Sequence, residues 1–205
     1  MKTQLIARAA LVAAMVGMSA GLAGCFTAAA TGIVVGGLAA VDRRTIGAQT
    51  EDQGIELKAY EALRAHKAQG GGISVTSFNR RALLTGQVET EGIKERAGAV
   101  VAAVENVKEV HNELVVAGRS SLGSSVTDTS ITTRVKTALL RSSDVPGNSV
   151  KVVTEKTTVY LMGIVTSAEA EAAARIASRT SGVARVITVF EVISPEEARR
   201  LDGQR

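Results

Sequence analysis

The chain has 205 residues, with 24 basic and 20 acidic side chains, no tryptophan, two tyrosines and three phenylalanines. So few aromatics exclude stacking platforms for bases or sugars and require aliphatic cores of Val, Leu, Ile and Ala. The single cysteine excludes an intrachain disulfide and a multi-cysteine metal site. The first element is an export signal. Lys2 and Arg8 give a positive start, and Ala9–Ala23 is apolar or small apart from Ser19. Residues 1–24 therefore read as a secretory signal peptide and do not belong to the fold.

That signal ends in Leu22-Ala23-Gly24-Cys25. The tetrapeptide resembles the bacterial lipobox, which implies cleavage before Cys25 and lipid attached to it. Two or more acyl chains give stable anchoring, where one gives only marginal attachment. Phe26 follows, at a position where Asp in such lipoproteins implies retention in the inner membrane. With Lys2 and Arg8 removed, the net charge falls to +2. That is too small to argue for nucleic acid as a partner.

Residues 26–41 are apolar and rich in Ala and Gly, but 16 residues fall short of the roughly 20 that span a bilayer as a helix. Residues 25–49 read as the lipidated cysteine followed by a membrane-proximal linker, with Asp42-Arg43-Arg44 ending its apolar part.

Beyond it the chain repeats itself. Ile55 through Leu63 recurs as Ile131 through Leu139, displaced by 76 residues. Leu84-Thr85-Gly86-Gln87-Val88 recurs as Leu161-Met162-Gly163-Ile164-Val165, displaced by 77, and Val107-Lys108-Glu109-Val110 as Val183-Ala184-Arg185-Val186, displaced by 76. These are two copies of one small domain, over residues 50–117 and 125–193, joined by a Ser/Gly-rich linker at 118–124. Residues 194–205 are a charged tail that either frays or forms a short surface helix.

Each copy decodes in the same way. Ile55, Ala59, Ala62 and Leu63 lie on one face of a helix, as do Ile131, Val135, Ala138 and Leu139. Asp128 or Thr129 is a candidate cap for the second of these. A short strand follows, with Ile73 and Val75 or Val150 and Val152 alternating. The next strand places Ala82, Leu84, Gly86 and Val88, or Val159, Leu161, Gly163 and Val165, on one face. Glycine weakens a strand, so Gly86 and Gly163 point to close approach by another backbone or helix. A second helix and a last strand complete an α-β-β-α-β unit. The fold class is α+β: two tandem two-layer domains, each with two helices on a three-stranded sheet.

Catalytic patterns are missing. His66 and His111 are 45 residues apart, without metal-ligand spacing, and read as solvent-exposed side chains. No GxSxG elbow occurs. Glu89/Glu91 and Glu169/Glu171 suit helix N-termini, and Gly70-Gly71-Gly72 has no following GK[ST]. No enzyme, cofactor or metal is expected.

The α-β-β-α-β unit, with its hydrophobic-x-Gly-x-Val strand, its Val-x-x-Val and its final strand, resembles the BON domain family. The join from Asp42 to Gln49, the stretch Asp128–Val135 and the stretch Val159–Thr166 carry the likeness to two-domain members that are outer-membrane lipoproteins of Gram-negative bacteria. The resemblance implies a periplasm-facing lipoprotein that supports envelope integrity, with enrichment at the division site and a connection to the outer-membrane assembly machinery. It also implies binding of anionic phospholipid through the first helix of the second domain, here about Thr129–Arg141. With Ile131, Val135, Ala138 and Leu139 used in the core, Ser130, Thr133, Arg134, Thr137 and Arg141 are left for the outer side, with Leu140 at an exposed edge. Lys136 points elsewhere and is a weaker candidate. Ser130 stands where the lipoproteins it resembles have an aromatic, so binding is expected to be weaker and more electrostatic. In agreement, residues 125–193 carry a net charge of +2 and residues 50–117 a net charge of −2. The alternative is a periplasmic protein-interaction scaffold whose lipid serves only as its anchor.

Overall fold

The computed structural model describes residues 42–66, 68, 72–117 and 125–203. The signal peptide, Cys25, the 26–41 segment, Gly70-Gly71 and the 118–124 linker lie outside the described residues. The first domain runs α1 (Ile46–Ala65), β1 (Ile73–Phe78), β2 (Arg81–Val88), α2 (Glu91–Ala102), β3 (Glu109–Asn112) and β4 (Val115–Val116). The second runs α3 (Ser125–Leu140), β5 (Val150–Glu155), β6 (Thr158–Val165), α4 (Ser167–Ser178) and β7 (Arg185–Val192), and α5 (Pro195–Gly203) closes the chain.

Both sheets place the second strand of the domain at the centre. β1 pairs antiparallel with β2, and β3 and β4 both pair parallel with β2. β5 pairs antiparallel with β6, and β7 pairs parallel with β6 over eight residues. The last strand of the first domain is therefore broken where that of the second is continuous. At the break Asn112 donates from Nδ2 to the Lys94 carbonyl, and Leu114 turns into the core at 1% exposure.

Helix-facing side chains build one aliphatic core per domain. Leu63, Leu84, Val88, Val101 and Leu114 fill the first, and Ile131, Val135, Leu139, Leu161 and Val165 fill the second. Ala138 is only partly buried. The repeated glycines behave as their position suggests. A Cβ on Gly163 would lie 2.6 Å from the Ser149 carbonyl oxygen, and one on Gly86 would meet the carbonyl of Gly72.

A third apolar cluster joins the domains. Phe78 and Leu83 of the first meet Tyr160, Met162, Ile164 and Val189 of the second, with Leu201 of α5 packed alongside. Both faces of β6 are thus covered, which explains its nearly unbroken apolar run Val159–Val165. Around this seam Asn79 donates to Glu191 at 2.7 Å, and Lys151 reaches Glu56 at 3.2 Å.

Several boundaries differ from the sequence expectation. α1 starts at Ile46, capped by the Thr45 hydroxyl, so residues 46–49 are already helical. Periodicity misses that turn because Ile46 is 84% exposed and no apolar stripe begins before Ile55. α3 likewise starts at Ser125, and Asp128 lies inside it instead of capping it. The charged tail takes the second of its two expected forms, a short helix from Pro195 to Gly203, the fixed φ of proline favouring the first helical position, and Ala198 is buried. His111 is half-buried with Nε2 3.1 Å from Glu109, not solvent-exposed, because β3 lies beside β2.

Candidate functional site

The candidate surface is the outer side of α3. Ile131, Val135 and Leu139 are fully buried beneath it, which fixes the helix rotation and turns Ser130, Thr133 and Arg134 to solvent. Arg141 is exposed just past the last turn, Leu140 is 50% exposed, and Thr137 is half-buried. Residues three, four and seven apart share one face of a helix, so these side chains form a continuous polar stripe ending in an apolar one.

The hydroxyls on this stripe bond back into the helix. Thr133 donates to the Thr129 carbonyl at 2.9 Å, and Thr137 donates to the Thr133 carbonyl at 2.8 Å. Arg134 lies along the surface, donating from Nε to the Ser130 carbonyl at 3.2 Å and from Nη2 to the Ser130 hydroxyl at 3.1 Å. Among the described residues neither Arg134 nor Arg141 has a carboxylate partner, so both positive charges face solvent uncompensated.

Lys136 does not belong to this surface. Its ammonium donates to the carbonyls of Gly147 at 2.8 Å and Val150 at 2.7 Å, pinning α3 to the start of β5. Burial lowers its pKa, and nearby Asp42 offsets part of that shift.

Two further networks escaped the sequence reading. Asp52, 3% exposed, accepts from the Asn79 and Arg80 backbone amides, each at 2.8 Å. Asp128 does the same for Lys156 at 2.8 Å and Thr157 at 2.9 Å. Each carboxylate clasps a two-residue hairpin turn whose residues all have positive φ, between 46° and 67°. The recurrence of Asp at the repeat spacing was the available signal.

The second network surrounds Arg43. Its guanidinium donates to Glu169 at 2.7 and 2.9 Å, to Asp202 at 2.9 Å twice, and to the Ile164 carbonyl at 3.1 Å. Hydrogen bonds to Asp202 push its pKa further up against the opposing effect of burial, and Glu169 adds to them, so it stays charged. Glu169 also closes the N-terminus of α4 in a capping box with Thr166. Burial alone would raise the Glu169 pKa, but hydrogen bonds from Arg43 and Thr166 outweigh it and hold the carboxyl below its ordinary value. A lowered folded pKa stabilises above the unfolded value, about 4.3, and that stability is lost as pH falls through the folded value. Urea titrations below about pH 5 should therefore show a steeper acid loss for the parent than for Glu169→Gln, which starts less stable. Parallel acid limbs would show that the Glu169 charge contributes nothing.

Among the described residues no group of three or more His, Cys, Asp or Glu is placed to hold a metal ion. No helix among them is long and apolar enough to cross a membrane. A shallow groove of about 470 Å³ between α1 and α2 is lined by Ala62, Ala99, Val100 and Val104, with Lys58 paired to Glu105 at its rim.

Residues 51–118 and 127–194 each match the family described as BON domain. The chain is 38% identical over 185 residues to the outer membrane lipoprotein DolP of Haemophilus influenzae, covering 89% of this chain and 95% of that one. It is 36% identical over 155 residues to the 21 kDa hemolysin of Actinobacillus pleuropneumoniae, covering 75% and 80% respectively. It is 34% identical over 145 residues to the osmotically-inducible protein Y of Escherichia coli, covering 69% and 72%.

Proposed function

This chain belongs to the BON domain family, and on that footing we propose that it is a non-enzymatic outer-membrane lipoprotein that reads anionic phospholipid through α3. Cys25 carries the lipid in this reading, and the folded part faces the periplasm, where it supports envelope integrity, including at the division site. The observation that supports it most is the pair Arg134 and Arg141 on an outer face with no carboxylate partner among the described residues. A basic side chain near an anionic membrane is attracted with a strength that depends on salt. Leu140, 50% exposed, adds an apolar side chain on that edge, where Ser130 offers none.

Flotation of residues 42–205 on anionic and neutral vesicles tests the reading. Recovery should be greater with anionic vesicles and decline as salt rises. Replacing Arg134 and Arg141 by Ser should weaken anionic binding on the order of tenfold or more at low salt, with circular dichroism unchanged. Equal recovery on both vesicle types, at the level of vesicle-free controls, contradicts it. The lipid on Cys25 would then be an anchor only, and the protein a periplasmic scaffold linked to the outer-membrane assembly machinery, to be sought by crosslinking in intact cells.

A further inference from the structure

The two copies differ in charge at one equivalent place. In the first domain the groove between α1 and α2 is lined by Lys58, Ala99, Ala103 and Glu105, among others. Lys58 of α1 reaches Glu105, just past the end of α2, at 2.8 Å. The positive charge is answered there from within the chain.

The helix caps fix the register of the second copy. Thr90 and Thr166 cap the starts of α2 and α4, and Ala103 and Arg179 their ends, each pair 76 residues apart. The same displacement carries Lys58 to Arg134, and Ala99, Ala103 and Glu105 to Arg175, Arg179 and Ser181. Two arginines therefore stand in place of alanines, and a serine in place of the acid. Arg134 still faces this place, because a Cβ on Gly182, next to Ser181, would lie 3.5 Å from its Nη2. Arg179, Ser181 and Gly182 are all exposed.

Little within the chain balances these charges. Glu171 lies 3.8 Å from Arg175, but both side chains are more than half exposed, so the pair stabilises little. Among the described residues Arg134 and Arg179 have no carboxylate partner. The negative end of the α4 dipole favours basic side chains at 175 and 179. It does not explain why Ser181 replaces the acid beside Arg134. A cleft lined by one sign of charge concentrates ions of the other sign.

The geometry points to a headgroup seat between α3 and α4, where the phosphate of an anionic phospholipid takes the place that the Glu105 carboxylate has in the first domain. Arg134 and Arg179 grip it from the two helices, and Arg175, one turn before Arg179, borders it. All three are arginine, whose planar fork holds two phosphate oxygens at once. The inference rests on the reading that the second domain meets lipid, and it extends the contact from α3 to α4.

Residues 42–205 hold both domain cores and the seam, so they fold without the segment before them. Flotation of this unit on vesicles of phosphatidylglycerol in phosphatidylcholine reads the seat. Ser181→Glu restores the first domain's acid and should cut recovery at low salt by about fivefold or more. Ser181 is exposed, so this variant should melt no lower than the parent. Gln53→Glu makes the same change of charge at an exposed site of α1, and its recovery should stay within about twofold of the parent. Arg179→Ser should lose as much as Ser181→Glu, and Arg179→Lys, which keeps the charge but not the fork, should fall between. Binding retained by either Ser181→Glu or Arg179→Ser, or a loss matched by Gln53→Glu, overturns the seat and leaves contact through α3 in place. No binding by the parent overturns both.

Discussion

Replacing Gly86 by alanine should prevent the first domain from folding. Gly86 sits in the central strand with φ +114°, a region that alanine rarely occupies, and a Cβ there would lie 1.8 Å from the Gly72 carbonyl oxygen. The neighbouring Gln87 amide donates to that same oxygen at 3.2 Å, so the carbonyl cannot swing away without breaking the strand end. Strain and overpacking together cost about 3 kcal/mol or more. A domain of this size rarely has more than about 3–5 kcal/mol to lose. The second domain should survive in a less stable form, because Phe78 and Leu83 would no longer cover Tyr160 and Met162. Backbone amide spectra should thus lose the dispersed signals of residues 73–116 and keep those of β6. Gly54→Ala is the control: its Cβ meets nothing within 4 Å inside α1, and it should raise the melting temperature. A Gly86→Ala protein that melts like the parent contradicts the close approach.

The second large effect is expected at the hairpin clasps. Asp52 accepts from Ser77, Arg80, Asn79 and Arg44, each at 2.8 Å, so its two oxygens are fully used. Asp52→Ala strands two turn amides and the Ser77 hydroxyl and removes one of the carboxylates on Arg44, which keeps Asp42 at 2.7 Å, and should cost about 3–5 kcal/mol in urea unfolding. Among the described residues Asp128 holds the two turn amides of its hairpin and no other donor, so Asp128→Ala should cost less, about 2–3 kcal/mol. The asymmetry follows from Ser77 and Arg44, whose bonds to Asp52 are not repeated at Asp128 among the described residues. Costs below about 1 kcal/mol at both sites would mean that the turns hold their positive φ unaided.

The two-domain plan was legible because short-range rules govern it. The 76-residue repeat, the 3.6-residue stripes and the alternating strands are local, and both glycines at close approaches follow from strand position alone. What joins the copies was not legible. Arg43 meets partners 126 and 159 positions away, and charge in a linker normally means solvation. The seam was foreshadowed only by Val159–Val165, too apolar for a strand with one wet face. On α3, core periodicity placed the outer residues but could not show that Lys136 bends back to the Gly147 and Val150 carbonyls.

The most direct measurement is a map of backbone chemical-shift changes over residues 42–205 on adding lipid bicelles, anionic and then neutral. With the anionic lipid, perturbations should cluster at Ser130, Thr133, Arg134, Thr137, Leu140 and Arg141 and weaken with salt, while the first domain stays unchanged. With the neutral lipid they should be much smaller. Perturbations absent from α3, or spread evenly over both domains with either lipid, would contradict membrane reading by the second domain.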